Sequence, residues 1–385
     1  MFDYIIVGAG LAGCVMAERI STVLNKNVLI IEKRNHIGGN CYDYYNEDGI
    51  MVHKYGPHIF HTNLENVWKY LSQFTDWHIY QHHVLGFIDG KKVPVPFNIN
   101  TLYNLLPKNL AEKLEKKLIN KFGYNTKIPI LELKKSDDKE LLFLADFIYK
   151  KVFLNYTQKQ WKMKPNELNP SVTGRVPVFI SKDNRYFQDK YQGMPKEGYT
   201  KMFERMLKNK NIKIMLNTDF KDILTFNDTE LNLFGQKFNG KLIFTGKIDE
   251  FFDYKFKELS YRSLRFDFET LDNSYFQEVG TINYPNDYDF TRITEFKFLT
   301  NQKHSKTSIV KEYPQEYNKN IKGKDIPYYP IPKKENEEIY EKYNEEANKL
   351  DNVIFIGRLA EYRYYNMDAI IGTTLKIFKE KISYE

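Results

Sequence analysis

The 385-residue chain is 42% hydrophobic, 28% charged and 16% aromatic, with 29 Tyr and 28 Phe, which excludes a disordered polymer and allows one large domain or two to three modest ones. Only Cys14 and Cys41 are present, which excludes a disulfide framework and a four-thiolate zinc site. The net charge of +7, from 57 Lys and Arg against 50 Asp and Glu, is too dispersed for a nucleic-acid surface and compatible with a basic cleft for a small anion. No apolar run approaches the roughly 18 residues of a membrane span, and the chain opens on a strand-like segment without a basic leader, so a soluble cytoplasmic protein is expected.

Residues Tyr4-Ile5-Ile6-Val7 form a short β-branched run that ends at Gly8-Ala9-Gly10-Leu11-Ala12-Gly13. A helix-like stretch follows to about Leu24, and Val28-Leu29-Ile30-Ile31 reads as a second buried strand. Strand, glycine turn, helix and strand make the opening unit of a dinucleotide-binding sheet. Within it, Gly8 permits the tight turn, Gly10 admits a pyrophosphate to the backbone, and Gly13 lets helix and strand pack. The helix N-terminus offers free N–H groups to the anion. Glu32 stands 22 residues after Gly10, at the end of the second strand, where a carboxylate accepts from ribose hydroxyls.

Further along, Thr101 to Trp161 carries a helical pattern, with connections expected at Asn98-Ile99-Asn100 and Lys134-Lys135-Ser136-Asp137-Asp138. Alternation between Tyr261 and Tyr313 predicts an antiparallel sheet. Val353-Ile354-Phe355-Ile356 predicts a late buried strand, followed by Gly357-Arg358 and a last helix after about Met367. That ending completes an interrupted α/β domain. His58 and His61 have a spacing open to a metal, but no third ligand stands nearby in sequence, and no metal is expected. His53, His78, His83 and His304 belong to no motif and are read as structural or surface residues.

After Glu32, the run Lys33-Arg34-Asn35-His36-Ile37-Gly38-Gly39-Asn40 adds a second glycine pair, which resembles FAD enzymes rather than nicotinamide dehydrogenases. The arginine after the late strand, Arg358, is then placed to neutralise the flavin pyrophosphate. More specifically, Tyr55-Gly56-Pro57-His58-Ile59-Phe60-His61-Thr62, Tyr156-Thr157-Gln158-Lys159-Gln160-Trp161, Tyr191-Gln192-Gly193-Met194-Pro195, Pro327-Tyr328-Tyr329-Pro330 and Gly357-Arg358-Leu359-Ala360-Glu361-Tyr362 resemble the bacterial UDP-galactopyranose mutases. The segments follow the family's order and span nearly the whole chain.

The resemblance implies an FAD-dependent isomerase, active with reduced flavin. It would interconvert a UDP-pyranose and a UDP-furanose through a flavin N5–sugar adduct, without net redox. It implies an α/β fold with a discontinuous Rossmann-like FAD-binding domain (1–66, 195–256 and 335–385), an inserted helical domain (100–170) and an antiparallel sheet domain (67–99, 171–194 and 257–334). The substrate cleft is expected where these meet, closed by the loop that carries Arg175. A homodimer serving cell-surface polysaccharide synthesis, such as a capsule, is also implied.

Matched motif by motif, Arg175 and Arg292 are the two diphosphate arginines, whose forks neutralise charge on departing UDP better than Lys. Tyr186, Tyr329 and Tyr364 match tyrosines that donate to the same phosphates. Tyr156, Thr157 and Trp161 flank the sugar and nucleotide, and Arg262 and Asn283 match further substrate contacts. The same resemblance implies that His58 and Ile59 face the flavin, with His61 near the sugar. The cofactor set that the resemblance implies also includes Leu11, Ala12, Lys33, Gly39 and Asn40, and later Phe220, Met367, Asp368 and Ile371. Two positions depart from the family pattern: His82 stands where Asn is commonest, and Asn366 where Asp is frequent. They leave the sugar open between galactose, the main expectation, and L-arabinopyranose, N-acetylgalactosamine or a 6-deoxy sugar. A flavin amine oxidase, a non-catalytic nucleotide-sugar binder and a nucleic-acid binder are the rival readings.

Overall fold

A computed structural model describes residues 2–163, 177–227 and 230–383. The chain divides into two compact units: Met1–Ile79, Asp189–Tyr261 and Lys334–Glu385 form the first, and Tyr80–Gln188 with Arg262–Lys333 the second.

The first unit is built on a five-stranded parallel sheet in the order Ile212–Met215, Val28–Ile31, Tyr4–Val7, Lys241–Phe244, Val353–Phe355. Its central strands are buried along their whole length, as expected of a parallel sheet covered on both faces, and this is why they read as unbroken apolar runs. The helix Leu11–Val23 follows the first strand, close to the expected bounds. Because all five strands run the same way, the residues after four of them collect along one carboxyl edge: Gly8, Glu32, Thr245 and Gly357. That edge is where open α/β sheets bind ligands. The C-terminal helix Met367–Ile377 completes this unit. Residues 67–79 and 189–194 also belong to it, since Tyr191–Pro195 pairs antiparallel with both Phe60–Thr62 and Trp77–Ile79.

The second unit holds a seven-stranded sheet in the order Tyr329–Pro330, Tyr261–Leu271, Thr307–Glu316, Arg292–Glu295, Thr281–Asn283, Val84–Ile88, Lys91–Val95. From Tyr261–Leu271 to Lys91–Val95 its neighbours pair antiparallel, apart from Thr281–Asn283 with Val84–Ile88. The helices Ile99–Leu105, Lys108–Phe122 and Lys139–Ile148 contribute to an apolar core that includes Leu102, Leu114, Leu118, Leu141, Leu144 and Ile148. Their starts are encoded locally. Asn98, read as part of a connection, accepts the Thr101 N–H and caps the first of them, and Asp138 accepts from Glu140 and Leu141 to cap the third. A π-helical turn, Tyr149–Leu154, runs directly into the helix Asn155–Trp161.

One expectation is corrected here: the stretch Thr101–Trp161 is not helical throughout. After Gly123 ends a helix, Thr126–Ile128 forms a strand against Val178–Ile180. The partner lies some fifty residues away, so no local period could announce it. Among the described residues no helix is long and apolar enough to cross a membrane.

Candidate active site

The glycine turn of the first unit is shaped by close approach. Gly8 has φ +100°, and a Cβ there would stand 2.1 Å from the Thr245 hydroxyl oxygen. That hydroxyl donates to the Val7 carbonyl (2.8 Å). A Cβ on Gly13 would meet the Gly8 carbonyl oxygen at 2.0 Å, and one on Gly39 would lie 2.9 Å from the Gly10 Cα. Any side chain at these points would drive the second glycine pair or the helix away from the turn. The first helical bond runs from Cys14 N–H to the Gly10 carbonyl (2.9 Å), so the amides of Leu11, Ala12 and Gly13 form the open positive end of the helix.

Glu32 is buried, and its two oxygens accept from the backbone N–H groups of Ala9 (2.8 Å) and Arg34 (2.9 Å). A carboxylate has about four acceptor positions, so two remain for vicinal hydroxyls. Asn40 takes both Nη atoms of Arg34 on its Oδ1 (3.0 and 3.1 Å), while Lys33 is exposed. Arg358 follows Gly357 (φ +111°), donates from Nη2 to the Tyr365 carbonyl (2.7 Å) and lies 4.8 Å over the Tyr364 ring. Met367 starts the C-terminal helix with its sulfur 3.7 Å from the Cys41 Sγ, and burial pushes that thiol up to about 12. Asp368 accepts the Thr62 hydroxyl proton (2.9 Å), Ile371 is fully buried, and Asn366 is the exposed N-cap of this helix. Phe220 packs edge-on against Phe244, 5.1 Å between centroids, on the core of the sheet.

The segment after Tyr55 is held by its own histidines. His58 donates from Nδ1 to the Gly56 carbonyl (2.9 Å), and its backbone N–H donates to His53 Nδ1 (3.1 Å). His53 is buried and therefore neutral, its basicity pushed down to about 4 by desolvation. Ile59 is half-buried, and His61 pairs through Nδ1 with Asp189 (3.0 Å), which also accepts from Asn63 (2.9 Å).

In the second unit the antiparallel register sets Arg292 directly opposite Glu312. The two form a bidentate pair, Nε and Nη2 each 2.9 Å from a carboxylate oxygen. Desolvation alone would weaken the Arg292 guanidinium, but Glu312, with Tyr156 and Tyr329, more than offsets it and secures the charge. Tyr156, Tyr186, Tyr329 and the Arg292–Glu312 pair stand close enough to share one electrostatic field, and desolvation holds the Tyr156 phenol protonated. Trp161 lies 6.0 Å from the Tyr329 ring, and Thr157 is buried on the same helix. Asn283 is the register partner of Arg292.

Arg262 is 2% exposed; its Nε donates to the Gln160 carbonyl (2.9 Å), while its Nη2 is buried with no acceptor among the described residues. Burial lowers its basicity. His82 is buried as well. Its Nδ1 meets the Tyr80 hydroxyl (3.0 Å), its ring packs on Tyr186 and Phe187, and its carbonyl accepts the Tyr186 N–H (2.7 Å). Arg175 lies outside the described residues.

The structure thus gathers the predicted glycines, Glu32 and Arg358 along one sheet edge of the first unit, and Tyr156, Trp161, Tyr186, Asn283, Arg292 and Tyr329 in the second. Sequence reasoning missed Glu312, Thr245 and Asp189, while His53, read as structural or surface, is a buried residue that holds the His58 N–H. Glu312 could have been found only by pairing two strands, whereas Thr245 follows an apolar run and was open to inspection.

The glycine turn, buried acid and parallel sheet define a Rossmann-type dinucleotide-binding protein with a second, sheet-based unit, and residues 6–74 match the family model of NAD(P)-binding Rossmann-like domains. Residues 151–364 match that of UDP-galactopyranose mutase. A probable UDP-galactopyranose mutase of Klebsiella pneumoniae is 36% identical over 384 residues, covering 99% of this chain and 95% of the relative. A dTDP-fucopyranose mutase of Escherichia coli is 35% identical, covering 98% and 97%. A crystal structure of reduced UDP-galactopyranose mutase superposes with a TM-score of 0.75 at 15% identity, covering 100% of this chain and 94% of the other, and attests the shared fold. The chain belongs to the UDP-galactopyranose mutase family and is an isomerase.

Proposed function

We propose that the protein interconverts UDP-galactopyranose and UDP-galactofuranose with FAD as cofactor. The observation that carries the reading is the gathering of Arg292, Glu312, Tyr156, Tyr186 and Tyr329 in one field, a set suited to a diphosphate. The Nε–Nη2 edge of Arg292 is occupied by Glu312, which orients the fork and leaves Nη1 for a phosphate oxygen. Glu312 also keeps the pair near neutral before substrate arrives, so the binding step does not begin from a bare, half-buried cation. The phenols of Tyr156, Tyr186 and Tyr329 donate without adding charge. Arg262 Nη2 supplies a buried donor that needs an acceptor, as a bound ligand would provide. Arg175 would add the second fork. As UDP departs, charge grows on its terminal phosphate, and preorganised donors are worth most there.

The residues of the first unit fit FAD. The glycine turn that no Cβ could enter would hold the pyrophosphate, with Glu32 on the adenosine ribose and Arg358 beside the phosphates. When bound and reduced, the flavin supplies a nucleophilic nitrogen for the anomeric carbon of the sugar. Leu11, Ala12, Lys33, Gly39, Asn40, His58, Ile59, Phe220, Met367, Asp368 and Ile371 complete the proposed cofactor set. His61, Tyr364 and Asn366 are proposed for the sugar side. We read the second unit as a helical part (100–170) and a sheet part that share one substrate role. A cytoplasmic homodimer feeding cell-surface polysaccharide synthesis completes the reading.

The alternative is the same reaction on another galactose-configured sugar, which the 35% identity to a dTDP-fucopyranose mutase favours. Both readings are tested by incubating the dithionite-reduced protein with UDP- and TDP-pyranoses and separating the products. Furanose formed from UDP-galactopyranose supports the main reading. A furanose formed only from a TDP-6-deoxy sugar moves the assignment to the alternative, and no furanose from any donor ends both.

A further inference from the structure

The helix Asn155–Trp161 carries Tyr156, Thr157 and Trp161, and the loop of residues 284–291 joins the strands that end in Asn283 and begin with Arg292. These two pieces are tied together by side chains that no motif singled out for a role. Lys159 extends its ammonium to the backbone carbonyls of Tyr284 (3.0 Å) and Asn286. Asn286 receives the Asn155 amide on its Oδ1 (2.9 Å) and sends its own Nδ2 back to the Lys151 carbonyl (3.1 Å). Asn155 and Lys159 are four residues apart and therefore share a helix face, while Tyr156 and Gln160 sit one step round. Lys151 lies in the π-helical turn, a form concentrated at functional sites.

We propose that Lys159, Asn155 and Asn286 form a clamp that sets the spacing of Tyr156 and Trp161 against Asn283 and Arg292, and so the affinity for the nucleoside diphosphate. This rests on the substrate reading given above. The three are positioning residues and need not touch the ligand. Their effect reaches the site because the loop closes through Tyr284 N–H to the Thr291 carbonyl (2.8 Å), immediately beyond the Asn283–Arg292 register pair. A loop released from the helix shifts both ends of that pair. A lysine suits the place because one ammonium with three donors can reach two carbonyls; burial lowers its basicity, and Asp287 and Asp289 offset part of that. Arg262 also holds the Gln160 carbonyl, so the helix is tied at a second point.

The test compares Lys159→Met, Lys159→Arg, Asn286→Ala and Asn155→Ala with the unchanged protein. UDP affinity is measured by titration calorimetry, KM and kcat with the reduced enzyme, and exchange of the 284–291 amides by mass spectrometry. Small displacements of a binding group cost on the order of tenfold or more. Lys159→Met should weaken UDP binding and raise KM about tenfold, with kcat within about threefold and faster exchange in the loop. Lys159→Arg should recover most of the affinity, because a guanidinium also spans two carbonyls. Asn286→Ala should show the same pattern more weakly, and it decides the question if Lys159→Met does not fold. UDP affinity unchanged in both Lys159→Met and Asn286→Ala overturns the clamp while the substrate reading stands. An unchanged protein that fails to bind UDP overturns the substrate reading, and the clamp with it.

Discussion

The two units build their candidate binding surfaces by opposite means. In the first, the groups that matter are mostly backbone: glycine turns, helix amides, and Glu32, itself fixed by two amides. In the second they are side chains on a sheet: Arg292 answered by Glu312, Arg262 answered by Gln160, and a set of phenols. A backbone cradle is intolerant of any added atom but indifferent to most neighbours. A side-chain array tolerates added bulk but depends on each partner's charge and register. The lesson is that substitutions should fail all-or-none in the first unit and by degrees in the second.

The largest expected effect is therefore Gly13→Val. With the Gly8 carbonyl oxygen 2.0 Å from even a Cβ, the variant should purify without flavin colour, yet still bind UDP through the second unit. Loss of UDP affinity alongside the flavin would show that the two sets are not independent.

Arg292→Ala should keep its flavin and lose about 100- to 1000-fold in turnover. It should also cost about 3 kcal/mol of stability, read from denaturant midpoints, because Glu312 is left buried and unpaired. The double variant Arg292→Met/Glu312→Leu sharpens the point. It should regain the stability but none of the turnover, and recovery of turnover would remove Arg292 from the diphosphate.

Acid should strike the first unit through His53. Its ordinary value of 6.5 is lowered to about 4 in the folded protein, so the unfolded chain takes up a proton first. The stability contributed by neutral His53 is fully present above pH 6.5 and is lost as pH falls through about 4, a change of about 3 kcal/mol. His53→Asn, which can still accept the His58 N–H, should remove this part of the pH dependence in melting curves taken across that window. Equal acid sensitivity in both proteins would place the loss elsewhere.

The smallest effect concerns the sugar. His82 packs on Tyr186, and Asn366 stands at the N-cap position of the C-terminal helix, with no capping bond from its side chain. His82→Asn with Asn366→Asp should alter the ranking of UDP-galactopyranose against UDP-L-arabinopyranose or UDP-N-acetylgalactosamine by about tenfold, leaving UDP affinity within about twofold. An unchanged ranking would make both positions neutral.

The sequence alone determined the first unit's cradle. Gly8, Gly10, Gly13 and Glu32 lie within one strand–helix–strand unit, where the geometry is local; at Gly8 and Gly13 the residue type follows from it, since only a glycine fits where a Cβ would collide. It also determined the late strand that returns to the sheet, since apolar runs are short-range signals, whereas Asp138, read as part of a connection, proves to cap a helix. Only the tertiary structure decided that Glu312 answers Arg292 across an antiparallel pair, that Thr126–Ile128 finds Val178–Ile180, and that Lys159 reaches a loop more than a hundred residues away. Those contacts join residues whose own neighbourhoods carry no mark of them, because strand pairing and side-chain reach are settled by where the chain has been brought in space.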